Sequence, residues 1–345
     1  MPSNEYWRER AMLVEEASHK IALDTYADIE KAFLQAQNEL TSRINTWMLR
    51  LAKNNEISMT EARRLLDRDE LEEFHWDVFE YIKHGQENEV SQQWVKELEN
   101  ASAKVHIRKL EALKIETQDA LENVYAIYNG SVHDMARKVY EHGFYRTAYE
   151  LSKGFGVGVK VPTINYRAVD NIIGKPWAAD GRNFSSRIWA DRQSMVNSLH
   201  QELTRTTLLG GKPDEAIANL TKCVKNTVKN KRAAAGRLVQ TEQAFFCDKA
   251  AIDSYKSLGV EKIEFVATLD LKTSEICREM DGTVIELKDA EPGVNTPPLH
   301  PRCRSVIAPY YDDNDDGLRA MRNKNGKTEY INSDITYQEW YRRFT

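Results

Sequence analysis

The sequence predicts an α+β protein that is predominantly helical, with a small antiparallel β-sheet near its C-terminal end. Over long stretches the apolar residues recur at steps of three and four, which is typical of amphipathic helices. After Gly259 the pattern changes to short runs of β-forming residues. No apolar run reaches the roughly 20 residues that a bilayer-spanning helix needs. The start of the chain also lacks the apolar core of a signal peptide, so we expect no membrane association.

The N-terminal half predicts an antiparallel helical bundle or long helical hairpins over residues 1–152. A first helix carries an apolar stripe at Ile29, Phe33, Ala36, Leu40, Ile44, Trp47 and Leu51. The segment "SMTE" at 58–61 has capping-box spacing and predicts a second helix. A third helix is predicted over 90–129, with a break at Gly130 before a fourth. The stripes indicate either the core of this bundle or a coiled coil that binds a partner.

Residues 153–185 mix glycine and proline with short apolar clusters and predict a loop-rich connector. Helical periodicity returns from Ser186 to about Leu209. Pro213 suits the first turn of a further helix, which we expect to reach Tyr255 with a break near Gly236.

Three strands are predicted after this helix, and they complete a domain over residues 186–310 in which helices pack on the small sheet. The strand segments are "KIEFVAT", "GTVIEL" directly after an Asp-Gly turn pair, and "CRSVIAPYY". Residues 311–345 predict an acidic turn and a tail rich in aromatic and basic residues. The acidic turn matches the opening of a calcium loop, but position 323 holds asparagine where the closing glutamate would stand, so the match is incomplete.

Charge is distributed unevenly along the chain. Residues 1–150 hold 28 acidic and 19 basic side chains, whereas the remainder holds 25 acidic and 29 basic. The C-terminal part is therefore the better candidate for a nucleic-acid surface. A stripe of cations at helical spacing stands within it: Lys222, Lys225, Lys229 and Arg232. The stripe indicates either contact with the DNA backbone, without sequence readout, or a solvated helix face.

Two cysteines and a histidine form the first candidate site. Cys277, His300 and Cys303 are residue types that zinc prefers, and His300 and Cys303 are close enough in sequence to bind one ion from a tight turn. A fourth ligand could come from Asp270, Asp281, Cys247 or water. Two alternatives remain open: a compact core in which both cysteines pack as small apolar residues, or nucleophilic catalysis by Cys277. Zinc is thus the one cofactor that the sequence raises.

The segment "GRLVQTEQAFF" supplies a second constellation. Arg237 and Thr241 lie one helical turn apart, with Glu242 next to them. We expect an internal ion pair that fixes this helix against the sheet; a catalytic glutamate is the alternative.

The stretch from Arg237 to Arg304 resembles the head-morphogenesis domain of tailed-phage minor head proteins, the Mu F-like group. The resemblance rests on "RLVQTEQAFF", "LDLKTSEICREMDG" and "PPLHPRCRS" and extends over about residues 165–310. The matching positions are Arg237, Thr241, Glu242, Asp270, Thr273, Cys277, Asp281, Gly282, His300, Pro301, Cys303 and Arg304. Many family members carry a further cysteine where this chain has Ser274 or Ser305, which weakens a four-ligand zinc site.

The resemblance implies a non-enzymatic phage head protein, present in the host cytoplasm during assembly and then inside the virion. Its implied partners are the portal protein, a major capsid or scaffolding protein, and packaged DNA. Residues 1–150 would contact the portal or the shell, and the role would lie in DNA packaging, organisation or delivery. The rival hypothesis is a zinc-dependent hydrolase or nuclease that uses the Cys/His cluster, with Asp270 or Glu242 as the base.

Overall fold

The computed structural model describes most of the chain outside a long segment in the N-terminal half. The described residues are 2–55, 109–156, 158, 160–209, 213–312, 318–322, 328–332 and 341–342. The second helix predicted from residue 58 lies outside them. Within them the protein is mostly helical with a small antiparallel sheet near the C-terminus, which confirms the predicted fold class.

In the described parts of the chain, five helices precede the sheet. They are α1 (Asn4–Asn55), α2 (Lys109–Phe155), α3 (Tyr166–Gly174), α4 (Phe184–Leu209) and α5 (Pro213–Ser257). Pro213 is the first residue of α5, as predicted. Proline is tolerated there because the amides of the first helical turn have no hydrogen-bond partner within the helix. The α3 helix lies in the predicted connector, and Asn165 caps it by accepting hydrogen bonds from two backbone amides.

Two predicted helix breaks are wrong, and both had been placed at glycines. The α2 helix continues through Gly130, where an added Cβ atom would meet no atom within 4 Å. The α5 helix continues through Gly236, where a Cβ atom would lie 3.1 Å from the ring of Tyr26. Gly236 therefore serves the close approach of an aromatic ring and does not end the helix.

The three predicted strands form one antiparallel sheet in the order β2-β1-β3. Strand β1 is Lys262–Val266, β2 is Val284–Glu286 and β3 is Val306–Pro309. Between β1 and β2 lies the short helix α6 (Glu275–Met280), and a 3₁₀ turn follows β2. Strand β1 is central and buried after its first residue, and its glutamate, Glu264, is buried with the apolar residues.

A second, two-stranded sheet follows in the segment that we had predicted to be a tail. Strand β4 (Leu318–Arg322) pairs antiparallel with β5 (Thr328–Asn332). Met321 packs with Leu269 and Ile331 in a small apolar cluster. The dipeptide Asn325-Gly326 between the strands is a hairpin signal that could have predicted this pair.

The chain forms two compact units, each assembled from separate segments. The first contains residues 1–26, 132–184 and 236–345, and the second contains 27–131 and 185–235. The predicted domain boundaries at residues 152, 185 and 310 follow sequence order, and they remain predictions.

The core of the first unit joins the beginning of the chain to the sheet. Trp7 of α1 is buried in one cluster with residues of α5, β1 and β3. The guanidinium of Arg8 donates two hydrogen bonds of 2.9 Å to the buried carboxylate of Glu264 on β1. Because burial of either charge alone is costly, this pair requires both segments to be in place together.

The core of the second unit contains the stripe predicted from the sequence. Five members of that stripe are buried: Ile29, Phe33, Ala36, Leu40 and Ile44. Phe33 packs edge-on against Tyr125 of α2, with 5.5 Å between ring centroids. In the same unit, buried Arg192 pairs with buried Glu122 at 3.1 Å. None of the helices in the described ranges is long and apolar enough to cross a membrane.

Candidate functional site

The segment His300-Pro301-Arg302-Cys303 forms a tight turn that α5 holds in place. The amide of Cys303 donates to the carbonyl oxygen of His300 at 3.1 Å, and Arg302 has a positive φ of 61°. The amide of Arg302 donates to the hydroxyl of Thr241 at 3.1 Å. That hydroxyl in turn donates to the carbonyl oxygen of Arg237 at 2.7 Å, one turn earlier in α5. The side chain of Thr241 thus holds the backbone of the strained turn at Arg302.

The turn brings the predicted Cys/His cluster together. The sulfur atoms of Cys277 and Cys303 lie 3.7 Å apart, and both side chains are buried. One nitrogen of His300 completes a group whose ligand atoms all lie within 4.8 Å of one another. His300 is only partly buried, and its Nδ1 lies 2.9 Å from the carbonyl oxygen of Pro301. These three residues could hold a metal ion.

Hydrogen bonds within the cluster shift the pKa values of its two cysteines in opposite directions. The thiol of Cys277, and then His300, hydrogen-bond to the sulfur of Cys303 and lower its pKa, against the opposing effect of burial. The pKa of Cys277 is raised, first by this same hydrogen bond and then by burial. The pKa of His300 is raised by its hydrogen bond to Cys303. These hydrogen bonds therefore favour the thiolate form at Cys303.

Asp270 lies outside this cluster, although it was a candidate ligand. Its two oxygens accept hydrogen bonds from the guanidinium of Arg304 at 2.5 and 2.8 Å. The backbone amide of Lys272 donates to Oδ1 of Asp270 at 2.8 Å, and the hydroxyl of Thr273 donates to the same oxygen at 3.1 Å. Asp270 therefore joins the loop after β1 to the residue that follows Cys303.

Two further predicted positions connect α6 with β1. The carboxylate of Asp281 accepts a hydrogen bond of 2.8 Å from the amide of Ala267. The amide of Gly282 donates to the carbonyl oxygen of Phe265 at 2.9 Å. Asp281 and Gly282 have the backbone angles of a type II turn, in which the φ of +78° at the second position favours glycine.

Cys247, another candidate fourth ligand, also lies outside the cluster. It lines a small cavity together with Asp248, Glu15, Thr147 and Ser305. Burial raises the pKa of Cys247 to about 12. This thiol is therefore held in its neutral form.

Glu242 has a structural contact that sequence reasoning did not predict. It is buried and accepts a hydrogen bond of 2.9 Å from the indole nitrogen of Trp177. Trp177 stacks on Phe245 with the ring centroids 4.7 Å apart and the planes inclined by 10°. Arg237 is exposed, and the expected internal ion pair remains a prediction.

The basic stripe of α5 is only partly available to a ligand. Lys222, Lys225 and Lys229 are exposed, while Val224 and Val228 on another face of the helix are buried. Arg232, the fourth predicted member, is half-buried and paired with Glu30. The stripe therefore presents three lysines.

Of the acidic turn that resembles the opening of a calcium loop, only Asp312 lies within the described residues. The carboxylate of Asp312 accepts a hydrogen bond of 2.7 Å from the ammonium of Lys262. Residues 313–317 lie outside the described ranges.

Comparison with known families identifies the segment that holds this site. Residues 197–308 match the family model described as Phage Mu protein F like protein. The match confirms, for this segment, the resemblance to Mu F-like phage proteins predicted from the sequence. Neither the comparison with curated proteins nor that with solved structures gave a match.

The Asp270–Arg304 pair predicts a specific loss of stability in acid. Burial alone would raise the pKa of Asp270, but Arg304 and the neighbouring donors hold it below the usual value. The pKa of Asp270 in the folded protein lies below its value of about 3.9 in the unfolded chain. The stability that the ion pair contributes is therefore present above about pH 3.9 and is lost as the pH falls through the folded pKa. We expect Asp270→Asn to lower the free energy of unfolding by about 1–3 kcal/mol near pH 7. The difference from the unchanged protein should shrink towards and below about pH 4.

Urea unfolding at a series of pH values measures this difference. Asp289→Asn is the matched control, because Asp289 is an exposed carboxylate of the same domain, and it should leave the pH dependence unchanged. A stability difference for Asp270→Asn that stays constant with pH would contradict the assigned ion pair.

Proposed function

We propose that this protein is a minor head protein that acts in head morphogenesis at the portal vertex and contributes to DNA packaging, organisation or delivery. The observation that carries the proposal is the Mu F-like match over residues 197–308. The geometry of the matched segment supports an architectural role. Thr241, Asp270 and Asp281 each use their side chains to tie a loop or turn to another element.

The contacts of two carboxylates weigh against the rival hydrolase. Asp270 is held by Arg304, and Glu242 is buried against Trp177. A general base needs an oxygen that can accept a proton from an attacking water. The rival needs one of these carboxylates as its base, and each of them accepts a hydrogen bond from another side chain.

The helical part of the chain supplies the proposed contact with the portal or the shell. The apolar stripe of α1 is used within its own unit, so it is not the proposed contact surface. Exposed side chains such as Leu23 and Leu34 of α1 supply apolar contact area on other faces of the helix. Other virion proteins are therefore the proposed partners, with the portal protein first and the major capsid or scaffolding protein second.

Co-expression with the portal protein alone tests this assignment. The full-length protein should co-purify with the portal, and Leu34→Glu should weaken the interaction, because it places a charge on the proposed surface. Gln35→Glu adds the same charge at an exposed position about 100° further around the same helix and serves as the charge control. Recovery of the protein with the major capsid protein but never with the portal would contradict the portal assignment.

The proposed contact with packaged DNA rests on Lys222, Lys225 and Lys229. They follow one another at steps of three and four on α5, and all three are exposed. Each phosphate neutralised changes the slope of log K against log salt by about 0.9. Changing all three lysines to glutamine should therefore reduce this slope by about 2.7 for duplex DNA. The loss should be similar for DNA of any sequence, since backbone contacts carry no sequence information.

Fluorescence anisotropy over a salt series measures the slope. The matched control changes Lys256, Lys272 and Lys288 to glutamine; these are also exposed, and the change in net charge is the same. An equal reduction in both triple variants would indicate a general charge effect and contradict the assigned surface.

A further inference from the structure

We propose that Cys277, His300 and Cys303 bind one Zn²⁺ ion, which fastens the turn at residues 300–303 to α6. The ion has three protein ligands, and a water molecule supplies the fourth ligand on the partly exposed side of His300. This inference concerns the stability of the domain and is independent of the proposed contacts with the portal and DNA.

The spacing of the two sulfur atoms fits a tetrahedral site. With Zn–S bonds of about 2.3 Å and tetrahedral angles, two thiolates bound to one ion lie roughly 3.8 Å apart. The observed distance between the sulfur atoms of Cys277 and Cys303 is 3.7 Å. A hydrogen bond between two thiols would explain this distance alone. Together with a nitrogen of His300, the two sulfur atoms form a group of ligand atoms that all lie within 4.8 Å of one another, which is compact enough to bind one ion.

The ligands come from two elements whose positions are fixed by contacts outside the cluster. Cys277 lies in the first turn of α6, where the hydroxyl of Ser274 accepts a hydrogen bond from its amide at 3.4 Å. The turn that carries His300 and Cys303 is held by Thr241 at Arg302 and by Asp270 at Arg304. The site is thus pre-organised, which reduces the entropy lost on binding.

The chemistry of the donors favours zinc among common metals. Thiolate and imidazole ligands together are typical of zinc, whereas magnesium and calcium prefer oxygen donors. The two candidate carboxylate ligands, Asp270 and Asp281, are hydrogen-bonded to Arg304 and to the amide of Ala267. Because these two side chains are engaged elsewhere, water is the remaining fourth ligand that we assign. Around the cluster, Phe265 and Ala267 are buried and exclude solvent from the thiol side.

Metal analysis and cobalt titration of the full-length protein test the site. Purified under reducing conditions, the protein should contain one equivalent of zinc. The metal-free protein should bind one equivalent of Co²⁺, with thiolate-to-cobalt charge transfer and the visible bands of a tetrahedral ion. Zn²⁺ should displace the cobalt and raise the unfolding temperature, because a ligand that binds only the folded state stabilises it.

Variants locate the ion on the chain. Cys303→Ser and Cys277→Ser should abolish the charge-transfer band, and His300→Gln should weaken cobalt binding at least tenfold. His300→Gln serves as the substitution that keeps the fold, because His300 is partly exposed. Cys223→Ser is the matched control: Cys223 is a free, half-buried cysteine on α5 outside the cluster, and binding should be unchanged.

Three results would overturn the proposal. The first is a folded wild-type protein that lacks zinc and gives no charge-transfer band with Co²⁺. The second is cobalt binding that survives in a folded Cys303→Ser variant. The third is a disulfide between Cys277 and Cys303 that persists under reducing conditions. Since portal binding and DNA binding are measured separately, failure of the zinc site leaves the proposed function to its own experiments.

Discussion

The hydroxyl of Thr241 is the contact on which the C-terminal domain depends most directly. It accepts a hydrogen bond from the backbone amide of Arg302, a residue with positive φ, and donates to the carbonyl of Arg237. A non-glycine residue keeps such a conformation only when its surroundings impose it. Through this one side chain, α5 positions the turn that carries His300 and Cys303. The cysteine pair can meet only if that turn has its observed shape.

Around this turn, side chains form hydrogen bonds with backbone groups that are not paired between strands. The sheet has three short strands, and loops occupy much of the segment between them. Asp281 therefore accepts from the amide of Ala267, and Thr268 donates to the carbonyl oxygen of Arg304 at 2.9 Å. Buried backbone groups need partners, and residues with short polar side chains supply them here. A motif rich in Thr, Asp and Arg can therefore stabilise a fold through such hydrogen bonds, although the same residue types are also common in catalytic sites.

The sequence allowed prediction of the elements where periodicity was strong. The stripe from Ile29 to Ile44 is buried, and the three short apolar runs after Gly259 became β1, β2 and β3. The breaks at Gly130 and Gly236 were wrong because a helix tolerates an isolated glycine when its neighbours continue the pattern. At Gly236 the decisive fact is a contact with Tyr26, more than 200 positions away in the chain, and no local pattern encodes it.

For the candidate site, sequence reasoning identified the residue types but not their partners. Cys277, His300 and Cys303 were predicted together and lie together. The role of Asp270 was decided by Arg304, because a bidentate guanidinium occupies both carboxylate oxygens. The contact of Trp177 with Glu242 and that of Arg8 with Glu264 join distant segments, so they follow only from the three-dimensional structure.

Native-state hydrogen exchange on the full-length protein tests most directly whether this domain is a rigid architectural element. The amides of Arg302, Cys303, Ala267 and Gly282 each donate one of the hydrogen bonds described above. The account predicts that these four amides exchange only when the whole domain unfolds, with the same free energy as the amides of β1. Rapid exchange of Arg302 and Cys303 while β1 stays protected would mean that the turn opens on its own, and it would contradict the account.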